Sequence, residues 1–158
     1  MLTKTKFKPL AVLACLFLVM LALFCIGNTE VSAETYSGDC SKTAEDSVKW
    51  SLNTSTGVLN ITGTGAMPNY TVDELPWANY KSMIIRIEIG EGVTTVGRCA
   101  FYGLKFVTKV TLYDGLTKIG DYAFNGCRNL KDIDIPETVT AIGTDAFGKT
   151  GLTDIPAV

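Results

Sequence analysis

The chain predicts a mainly-β solenoid with short helical or irregular turns, about three 23-residue repeats long and preceded by a β-hairpin cap. Three observations predict it. Gly97, Gly120 and Gly143 form one column and Phe101, Phe124 and Phe147 another, each recurring every 23 residues. The alternating apolar pairs Ile87 and Ile89, Val110 and Leu112, and Ile133 and Ile135 keep the same spacing, as successive short strands do. Ahead of them, alternating runs over residues 48–52 and 58–62 flank the turn-rich stretch 53–57, the pattern of a hairpin with one buried face.

Residues 1–33 read as a secretory signal peptide. Lys4, Lys6 and Lys8 make a positive start, residues 10–26 are an unbroken apolar run, and Val31-Ser32-Ala33 resembles an A-x-A cleavage site. A membrane anchor is the competing reading, but the run only reaches the low end of a span of roughly 17–25 residues. The polar Gly27-Asn28-Thr29-Glu30, followed by small residues, favours cleavage, after which no membrane segment is expected. A lipoprotein reading fails, because Cys25 follows Phe24 and Cys15 lies inside the apolar run. Loss of Lys4, Lys6, Lys8 and Glu30 takes the net charge from −2 to −4. A mildly acidic domain without a basic run makes a poor nucleic-acid binder.

Residues 34–82 form the expected cap. Its lead-in, residues 34–46, is polar and reads as loose where it begins. In the hairpin, Trp50 and Leu52 face the core with Leu59 and Ile61, and the Gly-rich stretch 63–68 ends the second strand. Residues 69–80 read as irregular or briefly helical, with Trp77 capping the first repeat rather than stacking a ligand.

Residues 83–158 hold the repeats, the last incomplete. Each copy runs through a strand, a turn, a segment such as Leu116-Thr-Lys-Ile-Gly120, and a bend through Ala-Phe. The strands should stack in parallel about 4.8 Å apart. The glycine column suits either positive φ or close backbone packing. Ala100, Ala123 and Ala146 fit a tight interior site, the phenylalanines an aromatic spine, and Val96, Ile119 and Ile142 the remaining interior. These positions serve structure.

No histidine occurs in the chain, which excludes Ser-His-Asp and Cys-His nucleophile systems and His-ligated zinc. Neither an enzyme nor a cofactor or metal is expected. Cys40, Cys99 and Cys127 remain after leader removal; the odd number leaves room for one disulfide or for three free thiols. Asp132 and Asp134 resemble a catalytic carboxylate pair, yet they alternate with Ile133 and Ile135 and so read as solvent-facing. The candidate binding residues are the outward strand columns Arg86, Lys109 and Asp132, and Glu88, Thr111 and Asp134. In a solenoid this face is the usual contact surface. Sequons at Asn53, Asn60 and Asn69 matter only in a eukaryotic source.

The run from Leu130 through Ile133, Ile135, Pro136, Val139, Ile142, Gly143 and Ala146 to Phe147 resembles the BspA-type leucine-rich repeat. Pro136 and Val139 stand where the common leucine-rich repeat has its Asn or Cys ladder, and Cys127 sits where the BspA-type unit often carries a buried Cys. Residues 37–40, 50–52, 57–59, 62–67 and Pro76-Trp77 resemble the capping segment found ahead of such repeats. The resemblance implies a secreted or cell-surface protein, and the family includes adhesins. It implies non-catalytic binding of a protein or glycan ligand outside the cell. The alternative is a structural, self-associating module or a fragment of a longer surface protein. After Phe147 the last copy carries one strand position, Ile155, and no polar closing segment, so self-association through an open C-terminal end is also expected.

Overall fold

The computed structural model describes residues 33–154. The expected leader, apart from Ala33, and Ile155 lie outside them. In chain order the elements are β1 (Thr35–Asp39), β2 (Lys49–Asn53), β3 (Val58–Thr62), β4 (Gly65–Ala66), a 3-10 turn (Ala78–Tyr80), β5 (Arg86–Ile89), β6 (Val93–Val96), β7 (Lys109–Leu112), β8 (Lys118–Ile119) and β9 (Ala141–Ile142). They form a five-stranded sheet, β1-β2-β3-β5-β7, and a four-stranded sheet, β4-β6-β8-β9. This is the expected β-rich solenoid with its hairpin cap.

The hairpin forms as its alternation predicts. Trp50 opposes Ile61 and Leu52 opposes Leu59, and all four are buried. β3 then pairs in parallel with β5, Leu59 against Ile87 and Ile61 against Ile89, so the cap's last strand is already a solenoid strand. β5 and β7 continue the ladder with Ile87 against Val110 and Ile89 against Leu112, the predicted 23-residue register.

Three parts differ from expectation. The lead-in is not loose: β1 pairs with β2 along its whole length. Its sequence hides this because Gly38 stands where an apolar residue would mark the inner face. Trp50 fills that gap, so closely that a Cβ on Gly38 would lie 2.6 Å from the indole nitrogen. Second, the Val-x-x-Ile-Gly segments are strands of a second parallel sheet, with Val96 against Ile119 and Ile119 against Ile142. Third, the last predicted strand shrinks to a single bridge, Val110 to Ile133. Pro136, which lacks an N–H, follows directly after Ile135 and limits extension there.

Between the sheets runs the aromatic spine, one ring longer than predicted. Trp77 stacks on Phe101 at 5.3 Å, Phe101 on Phe124 at 5.1 Å, and Phe124 on Phe147 at 5.4 Å. Trp77 therefore caps the first repeat as expected, by standing in the phenylalanine column. The alanine column is buried throughout. The bends that carry these rings join by a third ladder. Cys99, Phe101 and Gly103 donate their amides to Asp121, Ala123 and Asn125, and Tyr122, Phe124 and Gly126 donate theirs to Thr144, Ala146 and Gly148.

Bend and glycine geometry follow from this stacking. The glycine column is required by close approach rather than by φ. A Cβ on Gly120 would lie 2.6 Å from the Arg98 nitrogen, and one on Gly143 would lie 2.4 Å from that of Asp121. Positive φ recurs instead at Cys99, Tyr122 and Asp145, and at Gly103, Gly126 and Lys149. Lys149 thus occupies a left-handed position that its two counterparts fill with glycine.

In the cap, Asp46 ties one loop to the second sheet. Its carboxylate accepts from the Ala66 amide at 3.0 Å and from the amide and hydroxyl of Thr43, both at 2.9 Å. The Ala66 bond, followed by those from Thr43, holds the Asp46 carboxyl below its ordinary value of 3.8.

Two outcomes are expected in urea unfolding. Gly120→Ala should lose about 1–3 kcal/mol through backbone overlap, whereas Lys149→Gly should gain about 1 kcal/mol by relieving left-handed strain. A stable Gly120→Ala protein would contradict the close-packing account. Because the folded carboxyl of Asp46 titrates below the unfolded one, its contribution is complete above pH 3.8 and disappears as pH falls toward the folded value. The stability gap between the native chain and Asp46→Asn should therefore narrow below that pH.

Candidate binding surface

Four of the six outward residues, Arg86, Glu88, Lys109 and Thr111, lie on the five-stranded sheet. Arg86 stands beside Lys109 and Glu88 beside Thr111 in the parallel register. Arg86 and Lys109 are exposed, and Glu88 and Thr111 half-buried. Asp132 and Asp134 are exposed on either side of buried Ile133, but that segment has only its one bridge, so they flank the sheet rather than extend it. Among the described residues, no group of three or more His, Cys, Asp or Glu side chains is placed to hold a metal ion.

The cap widens this face in a way the repeat alone does not show. Because β3 pairs with β5, the outward residues of the hairpin fall into the same rows. Ser37, Ser51, Asn60, Glu88 and Thr111 form one row across five strands, and Thr35, Asn53, Val58, Arg86 and Lys109 form its neighbour. Alternation in the hairpin marks Ser51 and Asn60 as outward-facing. Only the parallel pairing reveals that they adjoin Glu88.

At the end of these strands lies a shallow hollow of about 330 Å³ beside Asn60, Thr62, Glu88, Glu91 and Tyr113. Tyr113 is 42% exposed, a large aromatic ring presented next to amide, hydroxyl and carboxylate groups. Such a set can hold a ligand by stacking and hydrogen bonds. Nothing in its sequence position signals Tyr113, since Gly90 and Pro136 occupy the same column.

Thiol chemistry finds no support. Cys40, Cys99 and Cys127 are free and buried. Burial pushes the Cys40 and Cys127 thiols up to about 12, so both stay protonated and unreactive near neutral pH. Cys127 lies against the Phe101 carbonyl at 3.3 Å, as an interior side chain.

Parallel strands repeated at constant register, closed by bends around a packed interior, define a leucine-rich-repeat solenoid, a class of binding and recognition modules that generally lack catalysis. The BspA type leucine-rich repeat region, described as six copies, matches residues 77–157, just over half of the chain. The chain belongs to this family. A leucine-rich repeat protein of Eubacterium ventriosum is similar at 32% identity and TM-score 0.67, over 74% of this chain and 30% of its own. This chain thus spans less than a third of that protein's length. A leucine-rich repeat protein of T. pallidum shares 27% identity over 65% of this chain and 54% of its own, with TM-score 0.45. A leucine-rich cell surface protein of Faecalibacterium prausnitzii shares 25% over 75% and 35%, with TM-score 0.47. No curated protein matches the sequence.

The adjacent Arg86 and Lys109 are like charges on neighbouring strands, an arrangement that costs stability. Lys109→Glu should therefore raise stability by about 0.2–1 kcal/mol, seen as a higher thermal midpoint. A lower midpoint would show that Lys109 supports the fold.

Proposed function

We propose that the chain is an exported, non-catalytic recognition protein, acting at the cell surface or outside the cell, whose five-stranded face contacts a protein or glycan ligand. The observation that carries this reading is the continuity of that face. Five strands from cap and repeats present two rows that hold mainly short polar and charged side chains in register, ending at the exposed ring of Tyr113. An exposed sheet face of this kind is open to a partner, and its adjacent Arg86 and Lys109 retain a charge arrangement that packing alone would not favour. The signal-peptide pattern of residues 1–33 supports export.

A second reading, self-association, has its own observation. In the inner bends every second amide donates to the following bend. The amides of Asp145, Phe147 and Lys149, at the equivalent positions, have no acceptor among the described residues. Such an edge can receive another strand-like segment.

The first reading is tested by combining Lys109→Glu with Asp132→Lys and measuring capture on immobilised extracellular-matrix proteins and mucin glycans. Retained stability with at least a tenfold loss of affinity is the expected result. Unchanged capture would remove the face from consideration. The second reading expects mass by light scattering to rise with concentration; a monomer across the whole range would refute it.

A further inference from the structure

Away from that face, the second sheet carries a polar hollow of about 200 Å³ bordered by Lys42, Asn69, Thr95, Arg98, Lys118 and Asp121. It is more enclosed than the hollow beside Tyr113. The chain has no basic run; three separate segments bring these cations together. The Lys42 amide donates to Ala66 at 2.9 Å and fixes one wall. Asn69 accepts the Arg98 amide at 2.9 Å, and the Tyr70 amide returns to Arg98 at 2.9 Å, which pins the cap to the first bend. Lys118 stands on β8 beside Thr95 of β6. Buried Met67 and Val96 lie at the base.

Among the described residues the one ion pair joins Lys49 to Asp39, and the side-chain nitrogens of Lys42, Arg98 and Lys118 make no hydrogen bond to any of them. Three exposed cations therefore border one concavity whose lining holds a single carboxylate, Asp121, while Lys42 also feels the nearby Asp46 carboxylate. An anion seated in the concavity is attracted by all three charges at once and accepts charge-assisted hydrogen bonds from them. A concave site also concentrates their field.

We propose that this hollow binds the anionic group of an acidic glycan, a sulfate ester or a carboxylate on a sugar ring. Its volume equals about seven waters, which accommodates one such group and part of its ring. Asp121 decides against a densely charged peptide. It is exposed and its Oδ1 accepts the Thr144 amide at 2.8 Å, so the carboxylate is held in place at the solvent side of the hollow, where it repels a second anion but accepts a sugar hydroxyl. Asn69 and Thr95 add hydroxyl-matching groups beside it. This site is independent of the five-stranded face, and its ligand need not be the ligand of that face.

The test is calorimetric titration of the full chain with N-acetylglucosamine 6-sulfate, sialyllactose, neutral lactose, polyglutamate and inorganic sulfate. At least one acidic saccharide should bind, lactose should not, and the stronger of the two acidic sugars identifies the anion. Arg98→Gln with Lys118→Gln should weaken that binding at least tenfold. Lys42→Gln, on a different segment, should weaken it severalfold, and the exposed Lys131→Gln should leave it unchanged. Thermal unfolding checks that each variant folds. Failure of both acidic saccharides, binding of inorganic sulfate alone, equal or tighter binding of polyglutamate, or unaltered binding in folded variants would each overturn the proposal.

Discussion

The stack of Trp77, Phe101, Phe124 and Phe147 sets a pitch that every other part of the molecule has to match. Ring centroids 5.1 to 5.4 Å apart leave room for little beyond the thickness of one backbone layer. Strands in a parallel ladder accept nearly the same spacing, about 4.8 Å, so sheets and rings can share one repeat. Where the chain turns from sheet to ring, no side chain fits between adjacent layers, and glycine or alanine must fill the position. The glycine and alanine columns are thus consequences of the aromatic one. Cys127 and Leu104, both fully buried, fill the volume behind the rings.

Much of this was legible because the pitch is periodic in sequence. Columns 23 residues apart identify neighbours in space, and period-two alternation in the hairpin gives its inward residues. What could not be read was structure carried by backbone alone. β1 has five paired residues and only Tyr36 as an apolar marker; a ladder of amides and carbonyls leaves no trace in side-chain pattern. The second sheet was obscured because Thr94-Thr95 and Thr117-Lys118 lie between its buried residues without simple alternation. The left-handed positions were hidden by Cys99, Tyr122 and Asp145, residues other than the glycine that usually announces them.

The surface shows the same division. Outward residues within one strand follow from alternation, which is why Arg86, Glu88, Lys109 and Thr111 could be named in advance. The residues that complete a contact surface come from elsewhere in the chain. Asn60 reaches Glu88 through a strand pairing 28 residues apart, and Lys42 borders the same hollow as Arg98 and Lys118 because the cap is tied to the first bend. Packing in this fold is repetitive, while recognition depends on the places where the repetition is broken.

The bend ladder gives the coil a sense of direction. Its alternate amides all point toward the C-terminal neighbour, and their acceptors point back. Two copies related by a two-fold axis would bring donor against donor at that edge, so closed pairing there is electrostatically opposed. A copy or segment that offers carbonyls, arriving head to tail, can join it as a further bend. Growth from such an edge has no built-in stopping point, and the identity of whatever occupies it determines whether the coil ends as a discrete particle or continues as a filament.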